Sequence, residues 1–420
     1  MKLQEGVHLH FIDTDKFTTN RIKMRFAAPM SAKTVAGRVL AANILELANE
    51  DYPTAQAFRR KLAALYGAQF STGVAKRGKV HFVDITISYV RADQLPDKED
   101  LTGQLIDFLY SALFRPLKER RGFDSSLFEV EKKNLLSYLE AEVEDNFYHA
   151  DVELSKLFYE NEDVQIPRVA RLDLVEQETA ETAYKALRDM LKLDRIDIFV
   201  LGKVDKKLVQ EGFERFAFTY RNPRLELELQ QNYSNITREK IERKEARQSV
   251  LELAYHFQVV YNDVNYIPLL VLNGLFGGFS HSKLFMNVRE KESLAYTIGS
   301  SVSIFSGMMK VYAGIDKENR LRTMQLIRRQ LQDIKKGNFS EEDLSMTKSL
   351  LVNAATLAQD QQANLVEQAY NQAVLGERNL EWEEWVEAVN LVSREDILRV
   401  ARCIRLQAIY FMEGEEDGIY

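Results

Sequence analysis

A chain of 420 residues, 45% of them hydrophobic, is long enough to bury two or three cores. Its 63 acidic side chains against 56 basic ones leave a net charge of −7, which argues against a nucleic acid as partner. No run reaches the roughly 18 apolar residues that a membrane span needs, and the single cysteine, Cys403, excludes an intrachain disulfide and any multi-cysteine metal site. The opening residues lack the apolar stretch of a secretory signal, so the cytoplasm is the expected compartment.

In chain order, residues 7–12 alternate like a half-buried strand, and residues 20–27 do the same. His8 and His10 share one face of the first strand. Such a pair could hold a metal, but a half-exposed strand face is the plainer reading. Residues 31–49 form an amphipathic helix that Pro53 stops. Thr54 caps the next helix, which runs to Leu65. Residues 76–79 (Lys-Arg-Gly-Lys) make a hairpin turn between strands at 70–75 and 80–90. Helical pattern covers 97–114, a long stretch from Asp124 past Val143, 148–159 and 176–193. An apolar strand follows at 196–201, then a short helix at 206–215.

From about Tyr220 to Arg247 large apolar groups become scarce and a charged run begins at Lys240, which reads as an ordered, exposed linker. The plan then repeats. Strand pattern covers 249–260, and an apolar helix covers 265–276. After the Gly277-Gly278 turn, a second helix opens near Ser280 or Ser282, since serine is a good N-cap. It carries Arg289 and gives way to a strand near Leu294 that includes Tyr296. The strands at 294–304 and 308–315 form a hairpin with Ser306-Gly307 at its turn. Helices follow at 318–336, 340–357, 361–375 and 380–391. Ser393 caps a helix over 395–403, where Cys403 is expected to be buried as a small apolar residue. A last strand covers 406–412. The expected fold class is α+β, with two tandem, structurally similar domains, each an antiparallel sheet covered by helices. The boundaries are 1–220, a linker at 221–247, and 248–420.

The stretch Asn-Gly-Leu-Phe-Gly-Gly-Phe-Ser-His-Ser-Lys-Leu-Phe-Met-Asn-Val-Arg-Glu-Lys-Glu-Ser-Leu-Ala-Tyr over 273–296 resembles the pitrilysin-like zinc peptidases, the family of insulin-degrading enzyme and the mitochondrial processing peptidase. The resemblance covers essentially the whole chain as two tandem halves. It implies an arginine and a tyrosine seven residues apart, here Arg289 and Tyr296, that grip substrate beside the Gly277-Gly278 turn. It also implies an inverted zinc motif, His-x-x-Glu-His, on the helix over 31–49, with a further glutamate ligand on a later helix. The matching window over 43–47 reads Asn-Ile-Leu-Glu-Leu. Glu46 is present, but Asn43 and Leu47 fill the histidine places, and the distal glutamate falls on Tyr138. Leucine has no lone pair, a neutral amide is a weak ligand, and a phenol must first lose its proton. The motif His-x-x-Glu-His occurs nowhere in the sequence. Asp145, His149 and Glu153, four apart on one helical face, could bind a metal, though an acidic solvated face is the ordinary reading.

What the resemblance implies is a chain without its own zinc or catalytic residues. It would be the substrate-binding subunit of a heterodimeric zinc peptidase, with the zinc on an intact pitrilysin-type paralogue. Arg289 would bond peptide carbonyls, Tyr296 would donate to an oxyanion at the partner's metal, and Gly277 and Gly278 would let backbone approach the peptide. The alternative is a stand-alone peptide-binding or scaffold protein without proteolysis, a homodimer when isolated.

Overall fold

The computed structural model describes residues 1–376 and 380–415. The chain divides into two compact units. Unit 1 takes Met1–Ala141, Ile166–Leu227 and Gln361–Val374. Unit 2 takes Glu142–Gln165, Glu228–Asp360 and the described residues from Leu375 onward. Each unit therefore includes one segment from the opposite half of the chain.

Unit 1 is built on β1 (Lys2–Gln4), β2 (Val7–Asp13), β3 (Thr19–Pro29), β4 (Gln69–Arg77) and β5 (Val80–Val90). A small ribbon, β6 (Lys118–Glu119) with β7 (Gly122–Phe123), stands apart, and β8 (Arg195–Gly202) completes the main sheet. The order is β1-β2-β8-β3-β5-β4. All pairs are antiparallel except β2 with β8, so the sheet is mixed where a purely antiparallel one was expected. A parallel pair needs a long crossover, and the helices between β2 and β8 supply it. Alternation sorts the faces. Ile22, Met24 and Phe26 of β3 join a core with the helices Val35–Leu45, Thr102–Phe114 and Ala180–Leu193. The other face carries Lys23, Arg25, Phe82 and Phe199 and is covered by the helix Gln362–Leu375, whose Tyr370 meets the rings of Phe82 and Phe199.

Unit 2 repeats the design with β9 (Arg238–Glu245), β10 (Ser249–His256), β11 (Ala295–Ser303), β12 (Met308–Ile315) and β13 (Arg405–Glu415), ordered β11-β12-β10-β13-β9. Its one parallel pair is β9 with β13. Leu251, Leu253 and Tyr255 of β10 face one core, and Val250 and Ala254 face another with Ala150, Leu154 and Phe158 of the helix Asn146–Phe158. Two features depart from the sequence reading. Part of the expected linker is β9, an edge strand whose alternating charges pair with that helix: Lys240 lies 2.6 Å from Glu153. Cys403 is exposed rather than buried, because the helix Arg394–Cys403 buries Ile397, Val400 and Ala401 and turns its last residue outward. Among the described residues no helix is long and apolar enough to cross a membrane.

Candidate functional site

In unit 1 the helix Val35–Leu45 is almost wholly buried and ends at Glu46, whose backbone N–H bonds the carbonyls of Asn43 and Ile44. The Glu46 carboxylate accepts the backbone N–H of Thr72 on the edge strand β4. Asn43 lines a cavity of about 320 Å³ together with Asn134 and Tyr138 of the helix Ser125–Glu144 and Gly73 of β4. Asn43 and Tyr138 thus meet in space, with Tyr138 44% exposed. Leu47 is half-buried and does not line the cavity.

The sequence reading passed over Glu131, two helical turns before Tyr138 and on the same helical face. Burial pushes its carboxyl up, a hydrogen bond from Asn134 opposes that, and repulsion from Glu46 adds to it. The sequence carries the signal as a second carboxylate in the stretch 129–138, seven residues before the position that the family resemblance assigns to a ligand.

These residues do not fit a catalytic zinc, which wants three good protein ligands. Leu47 has no donor atom, Asn43 is neutral, and the Glu46 carboxylate is bonded to main chain. Glu131 and Glu46 give at most two carboxylates. Among the described residues no group of three or more His, Cys, Asp or Glu side chains could hold a metal ion. Of the other candidate ligands, His10, Asp145, His149 and Glu153 have protein partners, and the rings of His8 and His10 stand 6.2 Å apart. His10 Nε2 lies 2.9 Å from Asp197 Oδ1. Asp145 caps the helix Asn146–Phe158 by accepting the N–H groups of Phe147 and Tyr148. His149 lies 3.3 Å from Glu242, and Glu153 lies between Lys156 and Lys240.

In unit 2 the apolar helix Tyr266–Asn273 runs into a π-helical turn, Gly274–Gly278, and a second π-helical turn covers Phe285–Glu290. Ser282 opens the latter segment, its hydroxyl accepting the Phe285 N–H at 3.4 Å. A Cβ on Gly277 would fall 2.6 Å from Ser300 Oγ and 2.8 Å from Leu284 Cδ1. Close approach of the turn to β11 therefore requires glycine there. The contact is locked by Ser300 Oγ donating to Asn273 Oδ1 at 2.8 Å. A Cβ on Gly278 would stand 3.1 Å from Asn273.

Arg289 is exposed, its guanidinium 4.6 Å from the centre of the Phe285 ring and 3.9 Å from Glu290. Ser293, with φ of 52°, breaks the helical run before β11. The β11–β12 register then shifts between Ala295 and Thr297, so Tyr296 sits on a bulge, a device that re-aims a side chain. It is 65% exposed. Its hydroxyl donates to Asp316 Oδ1 at 3.2 Å, and the Asp316 charge and that bond raise the phenol's pKa. Arg289 thus presents a planar cation, and Tyr296 an exposed hydroxyl whose proton goes to Asp316, two kinds of group suited to carbonyl and oxyanion recognition.

Comparison with known proteins places these features. Residues 177–351 match the family model described as the peptidase M16 inactive domain. The chain is 30% identical over 414 residues to the probable inactive metalloprotease YmfF of Bacillus subtilis (strain 168), covering 98% of this chain and 97% of the relative. Among solved structures, a conserved protein from Enterococcus faecalis V583 superposes with a TM-score of 0.96 at 36% identity, over 100% of this chain and 99% of that one. A peptidase M16 inactive domain from Pseudomonas fluorescens gives a TM-score of 0.79 at 16% identity, over 99% and 98% of the two chains.

Proposed function

Because the chain belongs to the peptidase M16 (pitrilysin-like) family as a homologue without the zinc ligands, we propose that it is the non-catalytic, substrate-binding subunit of a heterodimeric cytoplasmic zinc peptidase. Its partner is an intact paralogue carrying His-x-x-Glu-His. The observation that carries this reading is a contrast. The side chains at the motif positions of unit 1 do not fit a metal, whereas Arg289 and Tyr296 are exposed at a helix-to-strand junction. Arg289 bonds the carbonyls of an extended peptide held at the partner's zinc. The Tyr296 hydroxyl, whose single proton is donated to Asp316 in the free chain, turns from Asp316 to donate to the oxyanion that forms there. Gly277 keeps the adjoining turn packed against β11, its side-chain space taken by Ser300 and Leu284, and the exposed Gly278 is the one of the pair that a peptide can approach.

The test is to purify the chain with an M16 paralogue that keeps the zinc motif and to measure cleavage of an unfolded peptide. Tyr296→Phe is expected to lower kcat by about 10²-fold, the scale for losing one oxyanion donor. Arg289→Ala is expected to raise KM. Turnover and KM unchanged in both variants overturn the proposal.

A further inference from the structure

A second site lies in unit 2, on the side of the 283–291 segment that Lys283, Asn287 and Lys291 share. These three side chains, spaced four residues apart, line a mostly polar cavity of about 520 Å³. The opposite wall is the helix Arg320–Lys335, which contributes Arg329 and Gln330. Gln330 is 5% exposed, an unusual place for an amide unless its hydrogen-bonding groups are used. Lys291 Nζ donates to Asn287 Oδ1 at 3.1 Å, and Asn287 Nδ2 donates to Gln330 Oε1 at 2.8 Å. The relay runs one way and ends at the Gln330 amide N–H₂, for which no acceptor is present among the described residues.

The charges point the same way. Lys283 and Arg329 make no hydrogen bond or close ion pair among the described residues, although Lys283 lies near enough to Asp343 to help hold that carboxyl down. The two carboxylates of the lining are engaged: Glu292 by Arg322 at 3.2 Å, and Asp333 by the Asn338 amide at 3.3 Å. An amide does not neutralise Asp333, so the lining sets three cations, Lys283, Lys291 and Arg329, against one uncompensated carboxylate. The cavity's volume lies in the range of small-molecule sites rather than that of a single ion.

We propose that this cavity binds a small organic anion, its phosphate or carboxylate group held by Lys283, Arg329 and the buried Gln330 amide. Such a group accepts several charge-assisted hydrogen bonds at once, which matches an array of donors already positioned by packing. All of its lining residues belong to this chain, so its test stands apart from the peptidase reading.

Calorimetric titration of the full chain uses three probes: inorganic phosphate, a nucleoside monophosphate and succinate. The expected result is saturable binding of at least one probe that weakens as salt is raised. The exposed substitution Arg329→Glu, and separately Lys283→Ala, are expected to weaken it by about ten- to a hundredfold, the scale of one or two hydrogen bonds to a charged group. Phosphate-bearing probes binding ahead of succinate assign a phosphorylated ligand, and the reverse assigns a carboxylate. Absence of saturable binding by all three probes, or affinity unchanged in Arg329→Glu, overturns the proposal.

Discussion

The second face of each sheet carries charge beneath a helix, and the two units handle it in opposite ways. In unit 1, Arg25 is 3% exposed and donates to both oxygens of Asp84 and both of Glu367. Its guanidinium also lies 4.8 and 4.5 Å from the ring centres of Phe82 and Tyr370. Lys23 and Arg77 reach Glu367 as well. In unit 2, Glu252 is 1% exposed. Its nearest cation, Lys310 at 3.7 Å, is held more closely by Asp151 at 2.5 Å, and Glu252 Oε2 has no hydrogen-bond partner. Burial pushes both carboxyls up. For Glu367 the bonds and charge of Arg25, with Lys23, outweigh it and hold the pKa down to about 2. For Glu252 burial wins and the pKa rises to about 8. The same architecture accommodates a buried carboxylate in either state, and the number of cations within bonding distance decides which.

The largest effect is expected from removing the centre of the paired face. Glu367→Ala takes two bonds from a buried guanidinium that keeps only Asp84. Urea unfolding at neutral pH should show a loss of about 2–3 kcal/mol. A loss below about 0.5 kcal/mol would mean that Asp84 alone compensates Arg25, and the contrast between the faces would dissolve.

The unpaired face gives a smaller effect that depends on pH. A carboxyl whose folded pKa lies above its ordinary value of 4.5 is fully stabilising only below 4.5, and that stability is lost as pH rises through about 8. Glu367 runs the other way: its contribution is present above 4.5 and is lost as pH falls through about 2. Glu252→Gln stays neutral at every pH. The variant should match the parent near pH 4.5 and exceed it by a margin that grows with pH and levels off above about 8. Parallel stability curves for the two proteins from pH 5 to 9 would show that Glu252 is ionised throughout.

Neither charged face was legible in the sequence, for a reason that also governs the sites. Local chemistry reads well. Thr54 and Ser393 cap their helices by accepting from Ala57 and Asp396 N–H groups, and Gly307 takes the left-handed conformation of its turn, with φ of 64°. Helical periodicity shows which face of 362–375 is apolar but not which sheet receives it, and only the folded chain sets Glu367 against Arg25. Strand β9 has the sequence pattern of a linker because its partners are charges on the helix Asn146–Phe158 rather than an apolar layer. At the motif helix, side-chain types alone showed that Leu47 and Asn43 make a poor metal site. The bond from Thr72 N–H to Glu46 and the filling of Gly277's missing side-chain space by Ser300 join residues more than twenty positions apart, and no local spacing reports them.

The smallest expected effect on stability separates the two readings of the exposed pair. Tyr296 has one hydrogen bond, to Asp316, and its ring is largely in solvent on a strand bulge. Replacing it by phenylalanine removes only the hydroxyl, and an exposed substitution of that kind changes stability by no more than about 0.5 kcal/mol. If Tyr296 were part of the fold's support, Tyr296→Phe would shift the urea midpoint as Glu367→Ala does. If its hydroxyl is kept for a substrate, unfolding of the variant superimposes on that of the parent while turnover by the assembled peptidase falls. In that second outcome the position of Tyr296 on its bulge is explained by what the side chain meets in solution rather than by the fold.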